Sequence, residues 1–98
     1  MNPYSLQKLP SDILLETALK HRQRRKELKL SQAELAARSG VSLGSLKRFE
    51  RSGQISFESL LKLAHVLGRL SEFEKILMPK ENMAEVEKLF SHQKDSRP

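Results

Sequence analysis

Between Ser31 and Gly53 the chain reads SQAELAARSGVSLGSLKRFERSG, two short helix-forming stretches divided by a Ser-Gly-Val-Ser turn. Ser31 precedes Gln32, Ala33 and Glu34, so its hydroxyl can accept the Glu34 amide while that carboxylate reaches back, a capping box that starts a helix. Ala33, Leu35, Ala36 and Ala37 favour helix, and Leu35 with Ala36 supplies an apolar seam small enough for a second helix to approach closely. Gly40 can take the left-handed conformation that ends this helix and turns the chain sharply. Val41 plugs the turn into the core, Ser42 caps the next helix, and Leu46 and Phe49, three apart, share its inner face. Lys47, Arg48 and Arg51 then lie largely on other faces, and Gly53 closes the helix.

The flanking sequence reads as further helix. Met1 to Pro10, with prolines at 3 and 10, predicts an extended lead-in that packs Tyr4, Leu6 and Leu9 on the body. Ser11 is expected to cap a first helix carrying Asp12 in its first turn, where a carboxylate suits the helix dipole. Ile13, Leu14, Ala18, Arg22 and Arg25 recur at helical spacing, from a buried start to a basic end near Leu28. After Ser56, the residues Phe57, Leu60, Leu61, Ala64 and Leu67 form the stripe of a core-facing helix that Gly68 ends. Ser71 with Glu74 makes another capping box, for a short fifth helix through Phe73, Ile76 and Leu77 that stops at Pro79. Asn82 with Glu85 suggests a short sixth helix, Met83 to Phe90, which shows Val86, Leu89 and Phe90 and must dock or fray. His92 to Pro98 reads as a disordered tail. The expected organisation is a lead-in at 1–10, a helical domain at 11–79 with its two-helix unit at 31–53, and a C-terminal segment at 80–98.

Charge is distributed unevenly along this all-α plan. From Lys20 to Arg51 there are ten basic residues against three acidic ones, Glu27, Glu34 and Glu50, a net of +7 in a chain whose total is +6. A positive field confined to the two-helix unit and the helix before it favours phosphate attraction and counterion release, although a solvated helix face alone would also be basic. Ninety-eight residues suit one small domain with a modest core that dimerisation would help. The absence of cysteine excludes disulfides and thiolate zinc fingers and suits a reducing cytoplasm. No apolar run approaches the ~20 residues that span a bilayer, so no membrane association is expected. His21, His65 and His92 have no zinc-ligand spacing, and no G-x-S-x-G elbow or Ser-His-Asp arrangement can be assembled. Neither a metal, a cofactor nor enzymatic activity is expected. Met78, Met83, Phe73 and Phe90, at helical spacing, read as core or dimer interface.

The string from Leu30 through Ala36, the turn from Ser39 to Ser42 and the phrase from Arg48 to Gly53 together resemble the Cro/cI-like (XRE) helix-turn-helix family, over roughly Leu19 to Leu77. The resemblance implies a five-helix, lambda-repressor-like DNA-binding domain, bacterial or phage-encoded, cytoplasmic and nucleoid-associated. In such domains the second helix of the pair enters the major groove, and its N-terminal residues meet base edges. That places Leu43, Gly44, Lys47 and Arg48 at the bases, with Arg48 or Lys47 able to reach guanine O6 and N7. Leu43 stands where the family often carries glutamine; it can press on a thymine methyl but cannot read adenine by two hydrogen bonds. Gln32, Ser42 and Ser45 are the expected backbone contacts, Gln32 as a phosphate clamp at a helix N-terminus. Arg25 and Glu50 match the family's structural pair, an arginine of the first helix bridging to the glutamate of Glu-x-x-Gly. Lys29 stands where the family often has glycine, so a mildly strained or different turn is expected there.

The function implied is a sequence-specific regulator of double-stranded DNA, a repressor acting as a homodimer on a palindromic operator, with Leu70, Phe73, Ile76 and Leu77 at the interface. The phrase from Ser45 to Leu67, SLKRFERSGQISFESLLKLAHVL, also resembles the HipB-type regulators encoded beside HipA-type kinase toxins. That second resemblance implies an alternative, a DNA-binding antitoxin that binds a kinase-like toxin and represses its own operon.

Overall fold

The computed structural model describes residues 7–79 and Leu89. Four α-helices follow one another, α1 (Pro10–Glu27), α2 (Gln32–Ser39), α3 (Leu43–Ser52) and α4 (Phe57–Val66), and a 3₁₀ helix (Leu70–Lys75) comes after them. Among the described residues there is no strand, so the fold is all-α with five helical elements.

Local chemistry sets most of the boundaries. Ser31 Oγ accepts the Glu34 amide at 3.0 Å and the Ser31 amide donates to Glu34 Oε1 at 2.9 Å, the reciprocal capping box that starts α2. Ser42 and Ser56 each accept the amide three residues on at 3.1 Å, which starts α3 and α4. Gly40 and Gly53 end α2 and α3 in the left-handed region, at φ 78° and 82°. Gly53 has a second constraint: a Cβ there would lie 2.7 Å from the Leu14 carbonyl, so α3 meets the backbone of α1 at this point.

α1 begins earlier than its serine suggests. Pro10 is the first helical residue, where a missing N–H costs nothing, and the preceding Leu9 amide donates to Asp12 Oδ2 at 2.7 Å. Ser11 therefore lies inside the helix and caps nothing. At the other end, the Leu30 amide reaches Arg25 O and the Lys29 amide reaches Lys26 O, the paired bonds of a Schellman turn. Lys29 occupies its left-handed position at φ 58°, the strain expected when glycine is missing.

The core is built from Ala18, Leu30, Leu35, Ala36, Val41, Leu46, Phe49, Leu63 and Leu67, with Ile55, Leu60 and Val66 packed against it. Leu35, Leu46, Phe49 and Leu63 are almost wholly removed from water, each stabilising by roughly 1.5–3 kcal/mol relative to exposure. Two faces differ from the sequence expectation. On α4 the expected Ala64 and Leu67 are buried, but Leu63 lies between them in the core and Phe57 is 57% exposed. On α1 the buried line is Ala18, His21 and Arg25; Ile13 and Leu14 are nearly half exposed and Arg22 is exposed.

The fifth element also departs from expectation. Leu70–Lys75 is 3₁₀ rather than α, it follows Arg69 with no side-chain cap, and Ser71 falls inside it, so the Ser71–Glu74 box does not form. The cause lies upstream, where the Arg69 amide bonds Ala64 O and the Gly68 amide bonds His65 O, a second Schellman turn that launches the helix two residues early. Ile76 is extended and Leu77 lies beyond the helix at φ 58°. Leu9 is 63% exposed and does not pack on the body. Tyr4, Leu6, the tail and the proposed sixth helix lie outside the described residues, apart from Leu89, which is exposed.

Replacing Lys29 by glycine should raise stability by about 0.5–1 kcal/mol, because the left-handed penalty disappears while both turn bonds remain. Thermal unfolding of Lys29→Gly beside the wild type checks this, with a higher melting temperature expected.

Candidate nucleic-acid interface

α3 is anchored by two residues and open elsewhere. Leu46 and Phe49 are 0% and 1% exposed, whereas Leu43, Gly44, Ser45, Lys47, Arg48 and Arg51 face solvent. The N-terminal half of the helix is therefore an accessible rod. A Cβ added at Gly44 would meet nothing within 4 Å, so that side of the helix can be approached at backbone distance. Ser42 and Ser45 lie together at its tip, with the Ser42 hydroxyl donating to Ser45 Oγ at 2.8 Å while accepting the Ser45 amide. The Ser45 hydroxyl keeps its own proton free for an outside acceptor.

Beneath this rod lies a polar cluster that joins three helices. Glu50 of α3 has a side chain only 4% exposed, and its carboxylate accepts two bonds from the Arg25 guanidinium, Nε at 2.8 Å and Nη2 at 2.9 Å. The third edge of Arg25 donates from Nη1 to Leu30 O at 2.8 Å, across the α1–α2 turn. Gln32, the first residue of α2, donates from Nε2 to Glu50 Oε1 at 3.0 Å. The sequence reading gave Gln32 to a phosphate, yet here its amide is half-buried and engaged with Glu50, leaving its carbonyl and second N–H uncommitted. Burial alone would push the Glu50 carboxyl up, but the bonds from Arg25 and Gln32 and the nearby positive charge outweigh it and hold the carboxyl below the usual range.

His21 completes the cluster, and sequence reasoning missed it. Its Nδ1 lies 3.3 Å from Glu50 Oε2 without hydrogen-bond geometry, both ring nitrogens are buried with no partner, and the ring meets Phe49 edge-on at 4.9 Å. The signal was present in its position four residues before Arg25, on the same helical face. Burial pushes its pKa down from 6.5, and the attraction of Glu50 only partly opposes this.

Outside the cluster the charge is one-sided. The three carboxylates between Lys20 and Arg51 are all engaged locally: Glu27 with Arg24, Glu34 with the Ser31 cap and Glu50 with Arg25. Glu34 is held below the usual carboxylate range by its bonds to the Ser31 amide and hydroxyl. Among the described residues Lys20, Arg22, Lys26, Lys29, Arg38, Lys47, Arg48 and Arg51 are exposed and form no ion pair. Arg48 is held nonetheless, its Nη2 donating to Gln54 Oε1 at 2.6 Å, a partner nothing in the sequence announced.

A family model described as Helix-turn-helix matches residues 22–74, which run from the second half of α1 through most of the 3₁₀ helix. The chain belongs to the Cro/cI-like (XRE) helix-turn-helix family. As a member it is a DNA-binding transcriptional regulator. No curated protein and no solved structure gives a significant match. Among the described residues no group of three or more His, Asp or Glu could hold a metal ion, and no helix is long and apolar enough to cross a membrane.

The His21 site predicts a pH dependence. With the folded pKa depressed, the unfolded chain binds the proton first, so stability present above pH 6.5 is lost as pH falls from 6.5 toward the lower folded value. Thermal melts between pH 7.5 and 5 should show this decline in the wild type. His21→Leu should remove most of it over this range.

Proposed function

We propose that this regulator is a sequence-specific repressor that binds a palindromic operator as a homodimer. The observation that carries the reading is the exposed N-terminal half of α3, with Arg48, Lys47, Leu43 and Gly44 on a helix whose inner side is locked to α1 and α2. Laid in the major groove, Arg48 or Lys47 reads guanine, a contact worth roughly 1–3 kcal/mol of discrimination. Leu43 presses on a thymine methyl, and Gly44 lets the helix approach. Ser42, Ser45 and the uncommitted atoms of Gln32 serve the phosphate backbone, supported by the exposed cations of this segment. Repression needs nothing beyond occupancy, because a rigid domain seated in the groove blocks other proteins from the same site.

Support for the dimer comes from the region after α4. Leu70, Ile76 and Leu77 are 38%, 49% and 97% exposed, and Phe73 packs edge-on to the exposed ring of Phe57 at 6.1 Å. A two-fold pair of such surfaces would set two α3 helices against half-sites about 34 Å apart. The second reading, a HipB-type antitoxin that also binds a kinase-like toxin, is favoured by Leu9, Ile13, Leu15 and Leu19, exposed apolar residues that neither the groove nor the dimer surface uses. A kinase-like protein that co-purifies with the chain selects this reading over the plain repressor.

Selection of bound duplexes from random DNA should yield a palindromic motif, and Arg48→Ala should relax one base pair in each half-site by about tenfold or more. Equal loss on every sequence would assign Arg48 to phosphate instead. Phe73→Glu should give a monomer with sharply reduced operator affinity, read by light scattering and titration; an unchanged mass would remove this surface from the interface.

A further inference from the structure

We propose that Gln54 is a positioning residue for DNA specificity, fixing the edge that the Arg48 guanidinium presents to the bases. The inference rests on the reading of α3 as the base-contacting helix. Arg48 is exposed on a long side chain, and an unheld guanidinium would sweep over many orientations before meeting a base edge. Here it is held in a closed circuit of hydrogen bonds. Arg48 Nη2 donates to Gln54 Oε1 at 2.6 Å, the Gln54 backbone N–H donates to Ser52 Oγ at 3.2 Å, and the Ser52 hydroxyl donates to Arg48 O at 2.7 Å. Gly53, left-handed at φ 82°, folds the chain back so that Gln54 returns toward the helix it has just left. Both ends of Arg48, its carbonyl and its guanidinium, are thus tied to the turn that ends α3.

The circuit has consequences for recognition. A guanidinium carries five donors in a planar fork, and Gln54 occupies one of those on Nη2, which sets the plane and leaves the others for a guanine edge. Ordering the side chain before DNA arrives removes part of the cost of binding the correct base, so preference is sharpened without a base contact from Gln54 itself. Gln54 also borders an open depression of about 300 Å³ with Ser45, Ile55, Ser56 and Ser59, so its truncation disturbs no packed core.

The test compares wild type, Gln54→Ala, Arg48→Ala and the double variant in selection from random duplexes, with titrations of the selected motif and of a duplex lacking it, and with thermal melts. Gln54→Ala should weaken preference at the base pair that depends on Arg48 by about tenfold, with binding to the motif-free duplex within about twofold of wild type and the melting temperature unchanged. The double variant should lose no more preference than Arg48→Ala alone, since the two side chains act as one unit. The proposal is overturned if Gln54→Ala keeps the wild-type preference, weakens all duplexes alike, lowers the melting temperature markedly, or adds its loss to that of Arg48→Ala. If the wild type selects no motif, or Arg48→Ala leaves the motif unchanged, the base-reading role of α3 fails and this proposal with it. A motif that depends on Arg48 and not on Gln54 sinks the proposal alone.

Discussion

The carboxylate of Glu50 is the point on which the three helices of the DNA-reading unit depend. It is buried, and it is tolerable there only because Arg25 of α1 grips both oxygens and Gln32 of α2 adds a third bond. Desolvation offsets much of the attraction in a buried pair, so its main contribution is direction rather than net stability. A fork that meets a carboxylate at both oxygens fixes distance and angle together. Because Arg25 also holds Leu30 O, the same guanidinium ties the α1–α2 turn to α3. The outer face of α3 inherits its orientation from that junction.

Around this junction the apolar core completes what the polar cluster begins. Leu46 and Phe49 bury the inner side of α3 in one core with Leu35 and Leu63, and the glycine at 53 lets α3 touch the backbone of α1. His21 is the imperfect member, a buried ring with two unpartnered nitrogens beside the carboxylate. Its desolvation runs against the stability of the cluster, and the edge-on contact with Phe49 is the compensation the structure shows. Arg24, one residue from the gripping arginine, makes a different link, donating from Nε to Leu67 O at 3.0 Å and so tying the end of α4 to α1.

Legibility in the sequence followed the distance over which each feature is decided. On α4 the expected stripe of Phe57, Leu60, Leu61, Ala64 and Leu67 has Leu60, Ala64 and Leu67 on the core side, but Phe57 is exposed and the most buried residue is Leu63, which fits the same helical period. Which edge of the stripe turns inward depends on the packing against α2, and nothing within the helix says so. On α1 the buried line holds a histidine and an arginine, which a search for apolar period passes over. The Ser71–Glu74 box was chemically sound, but the turn at Gly68 had already started the next helix. Within the proposed DNA-reading face, exposure at Leu43, Gly44, Lys47 and Arg48 follows once Leu46 and Phe49 are known to be inside. The engagement of Gln32 and the bond from Arg48 to Gln54 do not follow from spacing.

What the chain alone determined is most of what closes within about one helical turn, the Ser11 cap and the Ser71–Glu74 box excepted. The caps at Ser31, Ser42 and Ser56, the left-handed glycines at 40 and 53, the strained lysine at 29 and the order of helices all rest on groups three or four residues apart. What only the tertiary structure decided depends on partners far along the chain: Arg25 with Glu50 at a separation of 25, Gln32 with Glu50 at 18 and Arg24 with Leu67 at 43. Local bonds follow from the backbone geometry of a single segment. Which side chain a buried carboxylate receives is settled only when packing has excluded water and left it no other partner.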